Sequence, residues 1–78
     1  MASATEQLFA DLLQYRMFLN KNSGLYLVFS CVYIKDSDEV SVNLFKLDTQ
    51  RILNNWLTDA KYFYHNNHNR IIRDDEVI

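Results

Sequence analysis

The chain has 78 residues, which is enough for one small domain, and we treat 1–78 as a single unit. Its residues are 49% apolar and 14% aromatic, with one glycine and no proline, a composition that excludes intrinsic disorder. The formal net charge of −2 excludes the basic excess that is typical of simple nucleic-acid binders.

The single cysteine, Cys31, has no partner in the chain for a disulfide and lies in an apolar run, where a small buried hydrophobe is expected. This favours a reducing, cytoplasmic compartment. The N-terminus lacks the basic lead of a secretory signal. The longest apolar run, 25–34, is shorter than the about 20 residues that a membrane-spanning helix needs. We therefore expect a soluble intracellular protein with no membrane attachment.

Ser3 followed three residues later by Glu6 is a capping-box pattern and predicts the start of a helix. The helix is expected to run from about Ala4 to Leu19. Phe18 points away from its apolar stripe, and Gly24 follows in a polar turn. The stripe consists of Leu8, Leu12, Tyr15 and Leu19.

Residues 25–34 are rich in β-branched and aromatic side chains, and residues 40–45 alternate apolar and polar ones. The polar segment 35–39 separates them. This pattern predicts a β-hairpin, and the absence of glycine favours a four- or five-residue loop. The first strand is apolar on both faces, so we expect it to be covered on two sides.

A second amphipathic helix is predicted after Asp48, a good N-cap, and is expected to end near His65 or Asn66. Residues 70–73 form either a short third strand or another helical turn, and 74–78 form a solvated acidic tail. The sequence thus predicts an α+β fold of order α-β-β-α, a helix–β-hairpin–helix with a possible short third strand near the C-terminus. The helical apolar positions are Ile52, Leu53, Trp56, Leu57, Ala60, Phe63 and Tyr64.

No pattern in the sequence indicates catalysis. His65 and His68 are too few for a metal site, and Cys31 in an apolar strand would be an inert thiol. With Gly24 alone there is no glycine-rich phosphate loop. The acidic clusters lie in a loop and a tail, where they are too solvated for general acid–base work. We expect no enzyme, no metal and no cofactor.

The segment 51–73 carries four basic residues and one acidic residue, a local charge of +3. Tyr62 lies opposite the apolar stripe of the predicted helix, which suits stacking on an unpaired base or on an anionic protein surface. The alternative is an ordinary solvated helix face. The candidate partner-binding residues are Lys61, Tyr62, His65, His68, Arg70 and Arg73.

Two helices on the same side of the hairpin would leave the other sheet face apolar and uncovered, whereas flanking helices would cover both faces. Phe18, off the helix stripe, favours the first arrangement. A second copy of the chain is the commonest cover for such a face. The candidate self-association residues are Phe18, Tyr26, Val28 and Val32.

These observations predict a small non-enzymatic protein–protein interaction module that occludes or bridges a protein partner and forms a homodimer. Its size and two acidic clusters are typical of the small regulators and inhibitors with which viruses, phages and mobile elements block host machinery. The alternative is a nucleic-acid-binding regulator that uses the patch at 51–73. No stretch matches a motif that defines a known family.

Overall fold

A computed structural model describes residues 2–76. The strands form one antiparallel sheet in the order β4-β3-β2-β1-β5. The predicted α-β-β-α order is therefore wrong, because one α-helix precedes a five-stranded sheet. The elements are α1 (Ala4–Tyr15), β1 (Met17–Asn20), β2 (Gly24–Ile34), β3 (Glu39–Lys46), β4 (Arg51–Thr58), a π-helical turn (Tyr62–Asn66), β5 (Asn69–Ile71) and a 3-10 turn (Asp74–Glu76).

Helix α1 begins where the capping pattern predicts, because the Ser3 hydroxyl oxygen accepts a hydrogen bond from the Glu6 N–H at 3.0 Å. It ends earlier than predicted. Arg16 adopts the left-handed conformation, with φ 62°, and its N–H donates to the Leu12 carbonyl. The chain then enters β1, so the helix predicted over 16–19 is wrong. Glycine or asparagine usually takes this capping position, and arginine gives no such signal.

Helix α1 and the π-helical turn pack on the same side of the sheet. The ring of Phe63 meets that of Phe18 edge-on, with centroids 4.9 Å apart, and the Ala60 N–H donates to the Thr5 hydroxyl at 3.1 Å. One hydrophobic core fills this side, and it consists of Leu8, Leu12, Phe18, Val28, Cys31, Val40, Val42, Leu44, Ala60, Phe63 and Ile71.

The predicted hairpin is confirmed by the pairing of β2 with β3, which a four-residue loop at 35–38 connects. A short strand near the C-terminus is also present. It is β5, and it pairs with β1, where Phe18 faces Ile71 across the ladder. The predicted acidic tail forms the exposed 3-10 turn Asp74–Glu76, and Val77 and Ile78 lie outside the described residues.

Strand β4 stands where the second helix was predicted, and a β-bulge explains the error. Val42 pairs with Trp56 and Leu44 pairs with Leu53, so β4 has one more residue than β3 between these pairs. Leu53 and Trp56 therefore share a face although they are three positions apart, a spacing that is typical of helices. Asn55 in the bulge has φ 56°, a left-handed conformation that asparagine tolerates.

A matching bulge lies in β2, on the other side of β3. Val28 pairs with Leu44 and Cys31 pairs with Val42, so β2 also has one extra residue at this level. The two bulges thus flank the same residue of β3, Asn43.

The Asn43 side chain joins the two bulges. Its Nδ2 donates to the Ser30 hydroxyl oxygen at 2.8 Å, and its Oδ1 accepts from the Asn55 N–H at 2.8 Å. A single amide therefore connects the three strands β2, β3 and β4 where their register changes.

We predict that Asn43→Ala lowers the free energy of unfolding by about 1–3 kcal/mol, because each of its two hydrogen bonds contributes about 0.5–1.5 kcal/mol. Urea unfolding followed by circular dichroism measures the change. Ser41→Ala, on the same strand and sheet face, is the control and should cost less than about 0.5 kcal/mol. Equal losses in the two variants would contradict the bridging role of Asn43.

Asp38 ties the N-terminus of α1 to the loop between β2 and β3. Its Oδ1 accepts hydrogen bonds from the Tyr33 hydroxyl and, at 2.7 Å, from the Ser3 hydroxyl. The Tyr33 bond, followed by the Ser3 bond, holds the pKa of the Asp38 carboxyl below its ordinary value. The same contact raises the pKa of the Tyr33 hydroxyl. The link between helix and hairpin is therefore strongest with Asp38 ionised.

Asp38→Asn should reduce stability at neutral pH and have a smaller effect in acid. A carboxyl whose pKa is lower in the folded state contributes stability above its unfolded pKa of about 4, and the contribution is lost as the pH falls through the folded pKa. Urea unfolding from pH 7 downwards measures the gap between the two proteins. Asp36→Asn in the same loop controls for the change of charge. A gap that stays constant with pH would contradict the assignment.

Candidate functional site

The sheet face opposite α1 is largely apolar, and no segment within residues 2–76 packs on it. Val40, Val42 and Leu44 point to α1, so the alternate residues of β3 point away, together with their direct pairing partners. We call this surface the open face. Its apolar residues are Met17, Leu19, Leu25, Leu27, Phe29, Val32, Ile34, Phe45, Ile52 and Leu57.

Several open-face side chains are strongly exposed. Val32 and Ile52 are each 61% exposed, Phe29 is 51% exposed and Leu57 is 47% exposed. The ring centroid of Phe29 lies 6.0 Å from that of Phe45, so the apolar surface continues from β2 to β3. Contiguous apolar patches beyond a few hundred Å² are rare on monomers and mark interaction sites. The open face is therefore a candidate protein-binding surface.

The structure separates the predicted self-association residues. Val32 lies on the open face, whereas Phe18 and Val28 belong to the core, at 2% and 4% exposure. Tyr26 is half-buried on the core side and stacks on Phe18 at a centroid distance of 5.0 Å. The placement of Phe18, Tyr26 and Val28 on a free surface is thus corrected. The bulge at Phe29 reverses the alternation, so Val28 and Val32 point to opposite faces.

The predicted partner-binding residues do not form one patch. Lys61, Tyr62 and His65 are exposed on the segment that contains the π-helical turn, and Tyr62 is 44% exposed. His68 and Arg70 lie at the other end of this region, beside Leu19.

Two of the predicted cationic residues have partners within the chain. Arg70 forms an ion pair with Glu76 and lowers the pKa of that carboxyl. The Arg73 guanidinium donates to the Tyr15 hydroxyl at 3.0 Å and lies 5.0 Å from the centroid of the same ring. The charge of +3 in the segment 51–73 is therefore partly compensated and spread over separate surfaces.

A cavity of about 150 Å³ lies on the core side of the sheet, with walls from β1, β2, β3, β4 and β5. Phe18, Tyr26 and Trp56 supply aromatic walls, and Asn67 and Asn69 supply amides. This cavity could not be predicted from the sequence, because its walls come from segments that are distant along the chain. The asparagine-rich stretch before β5 is the one sequence signal for it, and it does not show which amide points inward.

The described residues include neither a reactive thiol nor a cluster of metal-binding side chains. Burial raises the pKa of the Cys31 thiol to about 11, so at neutral pH it is almost entirely protonated. In the described part of the chain, no three residues of the types His, Cys, Asp and Glu are grouped closely enough to hold a metal ion. No helix between residues 2 and 76 combines the length and apolar character needed to cross a membrane.

No protein-family model, curated protein or solved structure matches the chain.

We predict that Cys31 in the folded protein reacts with a thiol reagent at least roughly 100-fold more slowly than free cysteine at pH 7.5, because a pKa of about 11 leaves very little thiolate. Release of thionitrobenzoate from Ellman's reagent measures the rate. The urea-unfolded chain serves as the control and should react at the ordinary rate. Fast labelling of the folded protein would contradict the burial of Cys31.

Proposed function

We propose that the protein is a small non-enzymatic protein–protein interaction module that forms a homodimer by packing two open faces together. The observation that supports this proposal is the exposure of Phe29, Val32, Ile52 and Leu57 on the sheet face opposite both helical segments. A sheet that is apolar on both faces needs a packed layer on each face. The helical segments cover one face, and a second copy of the chain would cover the other.

The size of the open face fits a dimer interface. Strands lie about 4.8 Å apart and rise about 3.3 Å per residue, so the five strands, with 4, 11, 8, 8 and 3 residues in chain order, present roughly 500 Å² in projection. The relief of the side chains increases the accessible area. Specific interfaces begin at about 600 Å² per partner, so the open face is large enough when nearly all of it is used.

The charges of the open face also favour a second copy as partner. The registers place Glu39 and Arg70 on this face, with Glu39 at an end of β3 and Arg70, which is ion-paired with Glu76, on the edge strand β5. The centre is apolar or neutral, and its polar residues include Ser30, Ser41 and Asn43. Two such faces meet without like-charge repulsion at the centre, where an unpaired buried charge would be costly.

Packing of faces is favoured over pairing of sheet edges. Strand β4 is an outer strand, and its bulge at Asn55 interrupts the regular ladder that a second strand would need. Bulges on edge strands are a common protection against edge-to-edge association. The two sheets would instead pack about 10 Å apart, as in a β-sandwich.

In this dimer the π-helical turns lie on the outer sides, because they pack on the face opposite the interface. Lys61, Tyr62 and His65 would then be displayed twice, which suits a regulator that bridges or occludes another protein. The internal partners of Arg70 and Arg73 make a nucleic-acid surface the less supported alternative. The single buried cysteine supports a reducing cytoplasmic location.

Light scattering coupled to size-exclusion chromatography should give twice the monomer mass for the wild type, with little dependence on salt. Val32→Glu should give a monomer, because it places a charge on the middle strand of the proposed interface. Leu13→Glu is the matched control, since Leu13 is 45% exposed on α1, and this variant should remain dimeric.

A wild-type protein that is monomeric at every concentration would contradict the proposed dimer. A dimer that Leu13→Glu and Val32→Glu disrupt equally would contradict the use of the open face. A variant with Lys61→Glu and Arg73→Glu, two basic residues that lie away from the open face, tests the nucleic-acid alternative separately. That alternative requires salt-dependent oligonucleotide binding which the double variant abolishes, whereas the proposed dimer should be unaffected.

A further inference from the structure

The cavity on the core side of the sheet contains a buried amide whose hydrogen-bonding groups are unused. Asn69 lines the cavity and is only 6% exposed. Among residues 2–76 neither its Oδ1 nor its Nδ2 has a hydrogen-bond partner. Buried polar groups without partners are destabilising and rare in native structures. At the wall of the cavity, Asn69 therefore has an amide NH2 group and a carbonyl oxygen that no described residue satisfies.

Asn20, the pairing partner of Asn69 in the ladder between β1 and β5, has a contrasting environment. Its Nδ2 donates to the Asn67 carbonyl at 2.6 Å, and its Oδ1 accepts from the N–H groups of Asn22 and Ser23 at 2.9 Å and 3.0 Å. Asn20 thus holds the turn after β1 and the segment before β5 in place. The Asn69 side chain stabilises no such turn, and its amide has no hydrogen-bond partner among the described residues.

The walls of the cavity are suited to a flat ring. Phe18 is stacked with Tyr26 at an interplanar angle of 9° and with Trp56 at 19°, so the three rings are nearly parallel. Tyr26, Phe18 and Trp56 all line the cavity. Aromatic walls of this kind favour stacking with a planar ligand.

We infer that this cavity binds a single-ring uncharged heterocycle with a hydrogen-bond donor and acceptor side by side, the chemistry of a pyrimidine base. A volume of about 150 Å³ is sufficient for one benzene-sized ring. The Asn69 amide pairs with an adjacent donor and acceptor in the way that asparagine reads a base edge. The residues that line the cavity are uncharged, which disfavours a charged ligand.

The cavity is open to solvent on one side, and Leu53, 41% exposed, stands among its lining residues. A sugar attached to the ring can therefore remain outside. A free nucleoside and an unpaired base in a single strand present the same chemistry to Asn69. The site is on the core side of the sheet, so this inference is independent of the proposed dimer on the open face.

Fluorescence of Trp56, the single tryptophan of the chain, reports on the cavity directly. Uridine and cytidine are expected to change this fluorescence saturably, and adenosine should bind at least tenfold more weakly because its two-ring base is too large. Single-stranded oligouridylate is the second arm. Tighter binding of the oligonucleotide than of uridine would identify a base within a strand as the source, and equal binding would identify the free nucleoside.

Asn69→Leu should weaken uridine binding at least tenfold and leave the melting temperature equal or higher, because it removes an unpaired buried amide. Asn54→Leu on β4 is the matched control, since Asn54 is exposed and does not line the cavity. Leu53→Trp is a second variant that fills the cavity without altering Asn69 and should also abolish binding; isothermal titration calorimetry measures this, because the added tryptophan would contribute to the fluorescence.

Three results would overturn the inference. The first is the absence of a saturable fluorescence response to uridine, to cytidine and to the oligonucleotide. The second is uridine binding that Asn69→Leu and Leu53→Trp leave unchanged. The third is adenosine binding as tight as that of uridine, which would exclude a single-ring site.

Discussion

The amide of Asn43 holds together the part of the sheet on which the remaining structure depends. By bonding to Ser30 on one neighbouring strand and to Asn55 on the other, it fixes two bulges at the same level. A slip of one residue reverses the face to which every later side chain points. The bulges therefore determine that Cys31 and Trp56 lie on the core side, while Val32 and Leu57 lie on the open face.

This division explains why the chain is rich in apolar residues on both sides of the sheet. Helix α1 and the π-helical turn pack on the core side, where the cavity also lies, and no described segment covers the other side. A small domain of this size has a thin core and gains most from a second layer. The proposed homodimer would convert the exposed part of β2 into a second core and would leave the cavity accessible in each copy.

The sequence predicted the features that depend on neighbouring residues. The Ser3 cap is local, and the hairpin follows from alternation in β3 with a polar loop, so both could be anticipated. The end of α1 could not, because Arg16 adopts a conformation that its residue type disfavours. Strand β4 was mistaken for a helix because a bulge imposes a spacing of three. Asn69 was missed because its burial requires β5 to pair with β1 from the opposite end of the chain.

The late position of β5 in the chain has a consequence for dynamics. Strands β1 to β4 pair with their neighbours in sequence and form a meander, whereas the three-residue β5 returns across the sheet to close it at the other edge. Such a short edge strand opens locally at a lower free energy than the meander unfolds. Because Asn69 leaves with β5, opening of this strand removes the buried amide from the wall of the cavity. A ligand bound to Asn69, as inferred above, would therefore slow hydrogen exchange at the C-terminal edge first.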